Sequence, residues 1–99
     1  MAIMEISVVP LGEGCSVSKY VAKCVEVIQR YNLTYEITAM GTIIEGDLEK
    51  LMEVALLMHK IPFDMGAKRV LTTIKIDDRR DKTSTIYSKV ESVKNKISK

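Results

Sequence analysis

The run Met40-Gly41-Thr42-Ile43-Ile44-Glu45-Gly46 gathers the groups best suited to holding a small molecule. Its two glycines let a backbone approach a ligand closely, Thr42 offers a donor and an acceptor, and Glu45 offers a negative charge. The same residues suit a plain hairpin with a bulge at Gly41, and spacing alone leaves both readings open. A second group is Asp77-Asp78-Arg79-Arg80-Asp81, five charges in succession. Such a run is usually a solvated, self-paired surface. Adjacent Arg79 and Arg80 also match the geometry of carboxylate and phosphate, so an oxyanion contact or an inter-subunit salt-bridge cluster stands beside that reading. His59 is the sole histidine. With no second His or Cys at metal-ligand spacing and no obvious Ser or Cys partner, it is expected to be structural or interfacial. Cys15 and Cys24 lie nine apart, which is neither a zinc nor a redox spacing. Cys24 falls on an apolar helical stripe and reads as core, whereas Cys15 sits in a loop. The segment Gly12-Glu13-Gly14-Cys15-Ser16 has the glycines of an anion loop but lacks the P-loop Lys-Ser/Thr, and Glu13 would repel an anion. No nucleophile–base pair emerges, so an enzyme is not expected, and no cofactor or metal is implied.

These groups must be placed by secondary structure. Residues 3–10 alternate as a strand, with Met4, Ile6 and Val8 on one face and Glu5 and Ser7 on the other. Ser16 is a fitting N-cap for a helix over 17–31, where Val17, Tyr20, Val21, Cys24, Ile28 and Tyr31 recur at helical spacing and Asn32 stops the helix. Residues 35–40 alternate again, setting Glu36, Thr38 and Met40 opposite Tyr35 and Ile37, and 42–45 complete a hairpin. Asp47 is expected to cap a helix over 48–60 that Pro62 ends. That helix carries one stripe of Leu48, Leu51, Met52, Ala55 and Met58 and a second of Val54, Leu57 and Ile61, an arc too wide for a helix with one face in water. Residues 69–76 form a last strand, 77–82 a charged exit, and a terminal helix over 84–97 aligns Ile86, Val90, Val93 and Ile97.

The order βαββαβ followed by α predicts an α+β, ferredoxin-like sandwich: a four-stranded antiparallel sheet with two helices on one face, plus a C-terminal helix within 83–99. At 99 residues, the whole chain, 1–99, is expected to form a single domain. The other sheet face would carry Glu5, Ser7, Val9, Glu36, Thr38, Met40, Leu71, Thr73 and Lys75, a half-apolar surface suited to a ligand or a partner. Composition narrows the function classes further. No Trp and one Phe leave few stacking platforms for nucleic acid. The net charge of +2 is a C-terminal property: residues 82–99 carry five Lys and one Glu, and residues 1–81 carry ten basic and twelve acidic groups. No apolar run reaches the ~18–20 residues a membrane span needs, and the N-terminal MAIMEISVV lacks a basic region and a small-residue cleavage site, so a cytoplasmic protein is expected.

Taken together, SVVPLGEG, CSVSKYVA, NLTYEITAMGTIIEGD, MHK, RVLTTIKIDDRRDK and KVESV resemble the small thiamine-binding protein family, long treated as an uncharacterised protein family, nearly end to end. Met40-Gly41-Thr42 with Ile44-Glu45-Gly46, and Arg69-Val70 with Ile74 to Lys82, carry most of the likeness. The resemblance implies a ferredoxin-like fold, a homotetramer built as a dimer of dimers, and non-enzymatic binding of thiamine or its hydroxymethylpyrimidine moiety. The chain departs from the family's usual pattern at Ala39, where Pro is frequent, at Asn32, where Gly is frequent, and at Lys60, where Glu is common. A thiazolium cation wants a carboxylate or an aromatic face, and an aminopyrimidine wants polar groups. Expected ligand contacts are therefore Ser7, Glu36, Thr38, Met40, Gly41, Thr42, Ile44 and Glu45, with the open sheet face, completed by a second subunit, as the first choice of site; Glu5 is a further carboxylate for the cation. Arg79 and Arg80 are assigned to an interface or an oxyanion. The alternative function is a structural or regulatory oligomer binding another metabolite or an oxyanion such as phosphate or sulfate.

Overall fold

The alternation at the N-terminus becomes strand β1 (Ala2–Pro10), and the chain continues through α1 (Ser18–Arg30), β2 (Thr34–Ile37), β3 (Thr42–Gly46), α2 (Leu48–Asp64), β4 (Val70–Asp78) and α3 (Ile86–Ile97). This is a computed structural model, and it describes residues 1–12, 18–83 and 85–97. The expected N-cap Ser16, together with Glu13, Gly14, Cys15 and Val17, lies outside them. The four strands form one antiparallel sheet in the order β2-β3-β1-β4, the ferredoxin-like arrangement expected from the element order.

Register decides which side chains meet. Met4 pairs with Ile44 on one side and Ile76 on the other, and Ile6 with Thr42 and Ile74. Because side chains alternate along a strand, this face is apolar, and α1 and α2 lie on it. Met4, Ile6, Ile28, Ile44, Leu51 and Val54 are completely enclosed there. Each such burial stabilises by roughly 1.5–3 kcal/mol, which makes this layer the main source of stability. The opposite face carries Glu5, Ser7 and Val9 beside Lys75, Thr73 and Leu71, with Glu36 paired to Ile43. An ion pair at 3.9 Å joins Glu5 to Lys75 across it.

α1 and α2 end in the same motif. Asn32 takes φ 60°, Leu33 N–H donates to the Ile28 carbonyl and Asn32 N–H to that of Gln29. Gly66 takes φ 104°, Ala67 N–H donates to Pro62 and Gly66 N–H to Phe63. A left-handed residue thus closes each helix by satisfying its last carbonyls.

Three expectations need correction. Pro62 does not end α2, which runs on to Asp64 with the proline inside it. Proline removes an amide donor, so the carbonyl four residues back, Met58, loses its helical partner. The Cys24 thiol of α1 replaces it at 3.8 Å. Second, the outer stripe of α2 is largely core: Val54 is fully buried and Ile61 packs against the cluster, because α2 is wedged between the sheet and α1. Its uncovered apolar residues are Met52, Leu56, Leu57 and Phe63. Third, β2 stops at Ile37, so Thr38 and Met40 belong to the turn rather than the sheet. Asp47 does stand at the α2 N-cap position, in extended conformation, but its carboxylate makes no capping hydrogen bond.

Candidate functional site

A difference in strand length creates the site. β1 pairs with β4 along its whole length from Ala2 to Pro10, yet pairs with β3 only from Ala2 to Ile6. Beyond Ile6 one edge of β1 is left by β3, and the β2–β3 turn folds over that end. Thr38 holds the turn closed. Its hydroxyl accepts from Met40 N–H at 3.2 Å and Gly41 N–H at 3.1 Å and donates to the Gly41 carbonyl at 2.8 Å. Its amide also donates to that carbonyl. Gly41 then lies so near β1 that a Cβ there would stand 3.0 Å from the Ile6 carbonyl oxygen and 3.7 Å from Glu5 Cγ. A side chain there would require β1 to give by a few tenths of an ångström, which glycine avoids.

Behind the turn lies a cavity of about 190 Å³. Ile6, Ser7, Val8 and Val9 of β1 form one wall, and Ile37, Thr38, Ala39, Met40, Gly41 and Thr42 form the second. Val21 and Cys24 of α1 and Met58 of α2 form the floor. No charged side chain contributes. Thr42 is 5% exposed, the sole buried polar side chain among the described residues, and it lines the cavity with a hydroxyl that can donate or accept. Met40, by contrast, is 82% exposed at the mouth. Burial pushes the Cys24 thiol up to about 11, so the floor is neutral as well. Ligand pockets for drug-sized molecules run roughly 300–1,000 Å³, and this one holds about a single ring.

Five expected ligand residues therefore converge: Ser7, Thr38, Met40, Gly41 and Thr42. Three do not. Ile44 shares the Thr42 face of β3 but is sealed under the helices. Glu36 lies exposed on the opposite face. Glu45, also on that face, accepts from Ile86 N–H at 3.1 Å and so caps α3 from another element. Glu36 and Glu45 border a separate cleft with Tyr87 and Glu91 of α3. Arg79 and Arg80 are already partnered. Arg79 meets Asp81 through two bonds, at 2.5 and 2.9 Å, and Arg80 meets Asp78 at 3.1 Å. These hydrogen bonds push both guanidinium groups up and pull Asp81 down from its ordinary value. His59 Nδ1 lies 2.7 Å from the Thr72 hydroxyl with its ring edge-on to Phe63, a structural placement. No group of three or more His, Cys, Asp or Glu among the described residues could hold a metal, and no described helix is long and apolar enough to cross a membrane.

The floor residues were not singled out by sequence for this role. Cys24 and Met58 look like core, and they are core. The available signal is Pro62, four residues after Met58, which announces a carbonyl in need of a donor.

Comparison with known proteins adds a family. A model of the thiamine-binding protein family matches residues 4–94. A UPF0045 protein of Methanothermobacter thermautotrophicus is 48% identical over 99 residues, covering 98% of this chain and all of that one. The crystal structure of the hypothetical protein MJ1052 of Methanocaldococcus jannaschii superposes with a TM-score of 0.87 at 41% identity, covering 94% and 95% of the two chains. A Thermotoga maritima protein given a provisional place in thiamine biosynthesis or salvage superposes at 0.78 with 25% identity, covering 93% and 97%.

Proposed function

The chain belongs to the thiamine-binding protein family, and from that premise we propose that it binds thiamine, or the hydroxymethylpyrimidine half alone, without catalysing a reaction. The observation that carries the reading is the uncharged, single-ring cavity with the buried Thr42 in its lining. An aminopyrimidine is flat and neutral, and it carries both donors and acceptors. The thiazolium is a fixed cation and stays at the mouth, where Glu5, whose Cγ would lie 3.7 Å from a Cβ on Gly41, offers a carboxylate. The working form in this reading is a cytoplasmic homotetramer, a dimer of dimers with no nucleic-acid partner. Supporting it are Met52, Leu56 and Phe63 of α2, Ile74 and Ile76 of edge strand β4, and Val90, Val93 and Ile97 of α3, all exposed. Two copies of β4 paired antiparallel about Ile76 would also set Lys75 of each opposite Asp77 of the other. The carboxylate partners of Arg79 and Arg80 weigh against the oxyanion alternative.

Titration calorimetry with thiamine and with hydroxymethylpyrimidine tests the ligand. Binding of both is expected, and Thr42→Val, which keeps the shape and removes the hydroxyl, should weaken it by roughly three- to tenfold. No heat and no thermal shift at millimolar ligand would refute the reading. A monomeric sedimentation mass at micromolar concentration would refute the tetramer separately.

A further inference from the structure

Helix α3 leaves its apolar side uncovered. Ile86, Val90, Val93 and Ile97 align along it at spacings of four, three and four, yet none of its residues is buried. Val90, Val93 and Ile97 are exposed. Polar contacts tie its first turn to the sheet: Ile86 N–H donates to Glu45, and Lys89 pairs with Asp77. A helix of 12 residues is marginal in water unless packing covers an apolar face. Helix α2 carries the matching feature. Met52, Leu56, His59 and Phe63 repeat the four-three-four spacing, and Met52, Leu56 and Phe63 are exposed. The charges beside the two stripes are complementary. Glu49 stands in the first turn of α2 with Glu53 one turn on, and Lys94 and Lys96 stand in the last turn of α3. Laid antiparallel, Ile97 meets Met52, Val93 meets Leu56 and Ile86 meets Phe63. Glu53 then flanks Lys94, and Lys60 flanks the exposed ring of Tyr87, a cation–π face. A parallel pair would set Lys60 beside lysines of α3 and align the two helix dipoles, both unfavourable. Within one chain, α2 lies on the Ile44 face of the sheet and Glu45, which caps α3, on the other. The α2 stripe that α3 fits is therefore that of another copy.

We propose that the apolar stripe of α3 docks antiparallel on the outer stripe of α2 in a second copy of the chain. Repeated about a two-fold axis, each copy gives one α3 and receives one, so the contact closes and is made twice. Met52, Leu56, Phe63, Val90, Val93 and Ile97 form its dry centre, and Glu53 with Lys94 at the rim fixes its direction. The pairing rests on the assembly reading above and deepens it by naming which faces meet. None of these residues lines the cavity behind the Thr38 turn, so docking leaves that space open.

Sedimentation equilibrium on the full chain tests the pairing. Leu56→Asp and Val93→Asp alter exposed positions on the two helices, and each is expected to raise the dissociation constant of self-association by roughly tenfold or more. Glu53→Lys and Lys94→Glu should each weaken association by roughly three- to tenfold, and the double reversal should return it to within about twofold of wild type. Both charge reversals lie at the surface, so they decide the matter even where an aspartate variant fails to fold. A wild-type mass of one chain at micromolar concentration overturns assembly and pairing together. Association that neither aspartate disturbs overturns the pairing and leaves assembly standing. Weakening by Val93→Asp but not by Leu56→Asp sets another surface opposite α3 and overturns the pairing as well. A double reversal no tighter than the single ones overturns the antiparallel setting.

Discussion

The two ends of the sheet treat polar groups in opposite ways. At the hairpin end, backbone and hydroxyl groups satisfy one another within the Thr38 turn, no charge enters the cavity, and buried Thr42 lines it. At the other end, Asp77, Asp78, Arg79, Arg80, Asp81 and Lys89 pair among themselves at the surface, and Glu45 caps α3. The difference teaches where selectivity resides. Exposed pairs are screened by water and salt and discriminate little, whereas a polar group in an apolar enclosure discriminates strongly because few others can satisfy it. The proposed site lies at the charge-free end.

The largest test of that contrast uses two adjacent residues of β3. Ile44→Ala empties the fully enclosed layer and should cost about 2–5 kcal/mol in denaturant unfolding. Glu45→Gln, facing the other way, should cost only about 0.5–1 kcal/mol, seen as faster amide exchange in α3 rather than as global unfolding. If the two substitutions cost the same, the division between the ends fails. Between them in size stands an alkaline effect confined to the cavity end. The Cys24 thiol is raised by burial from 9.0 to about 11, so the unfolded chain ionises first. Stability from this group is full below pH 9 and is lost as pH rises to about 11. The difference between wild type and Cys24→Ala over that window should be on the order of 2 kcal/mol. A parallel pH dependence in both proteins would contradict it. Smallest of all, Arg80→Ala should leave melting temperature and ligand affinity unchanged at physiological salt, since its partner Asp78 is also at the surface. A lost ligand response in that variant would move the site to the charged end.

Much of the fold was legible because alternation and helical spacing are local. The faces assigned to Met4, Ile6, Glu5, Ser7, Thr73 and Lys75 are those the register produces. Asn32 is the left-handed stop its side chain suggested. What local pattern misjudged depended on distant partners. Pro62 reads as a terminator unless one knows that a thiol 38 positions earlier meets the orphaned carbonyl of Met58. Val54 and Leu57 look alike on a helical wheel, and only the docking of α2 between the sheet and α1 separates a buried residue from an exposed one. The site was half legible. Thr38, Met40, Gly41 and Thr42 were marked by composition and resemblance, but the enclosure arises because β1 outlasts β3, a mismatch of lengths that leaves no periodic trace. Alternation grouped Glu36 with Thr38 and Met40 on the open sheet face, and the end of β2 at Ile37 separates them.

Strand β3 is five residues long and carries Thr42 into the cavity, Ile44 into the enclosed layer and Glu45 to the head of α3. Every second position answers to one side of the sheet, so its reading frame in space is as strict as a codon's. Inserting or deleting one residue there would exchange Ile44 with Glu45, bury a carboxylate, expose an isoleucine and free α3 in one stroke. A one-residue insertion is therefore absorbed better by a loop than by β3.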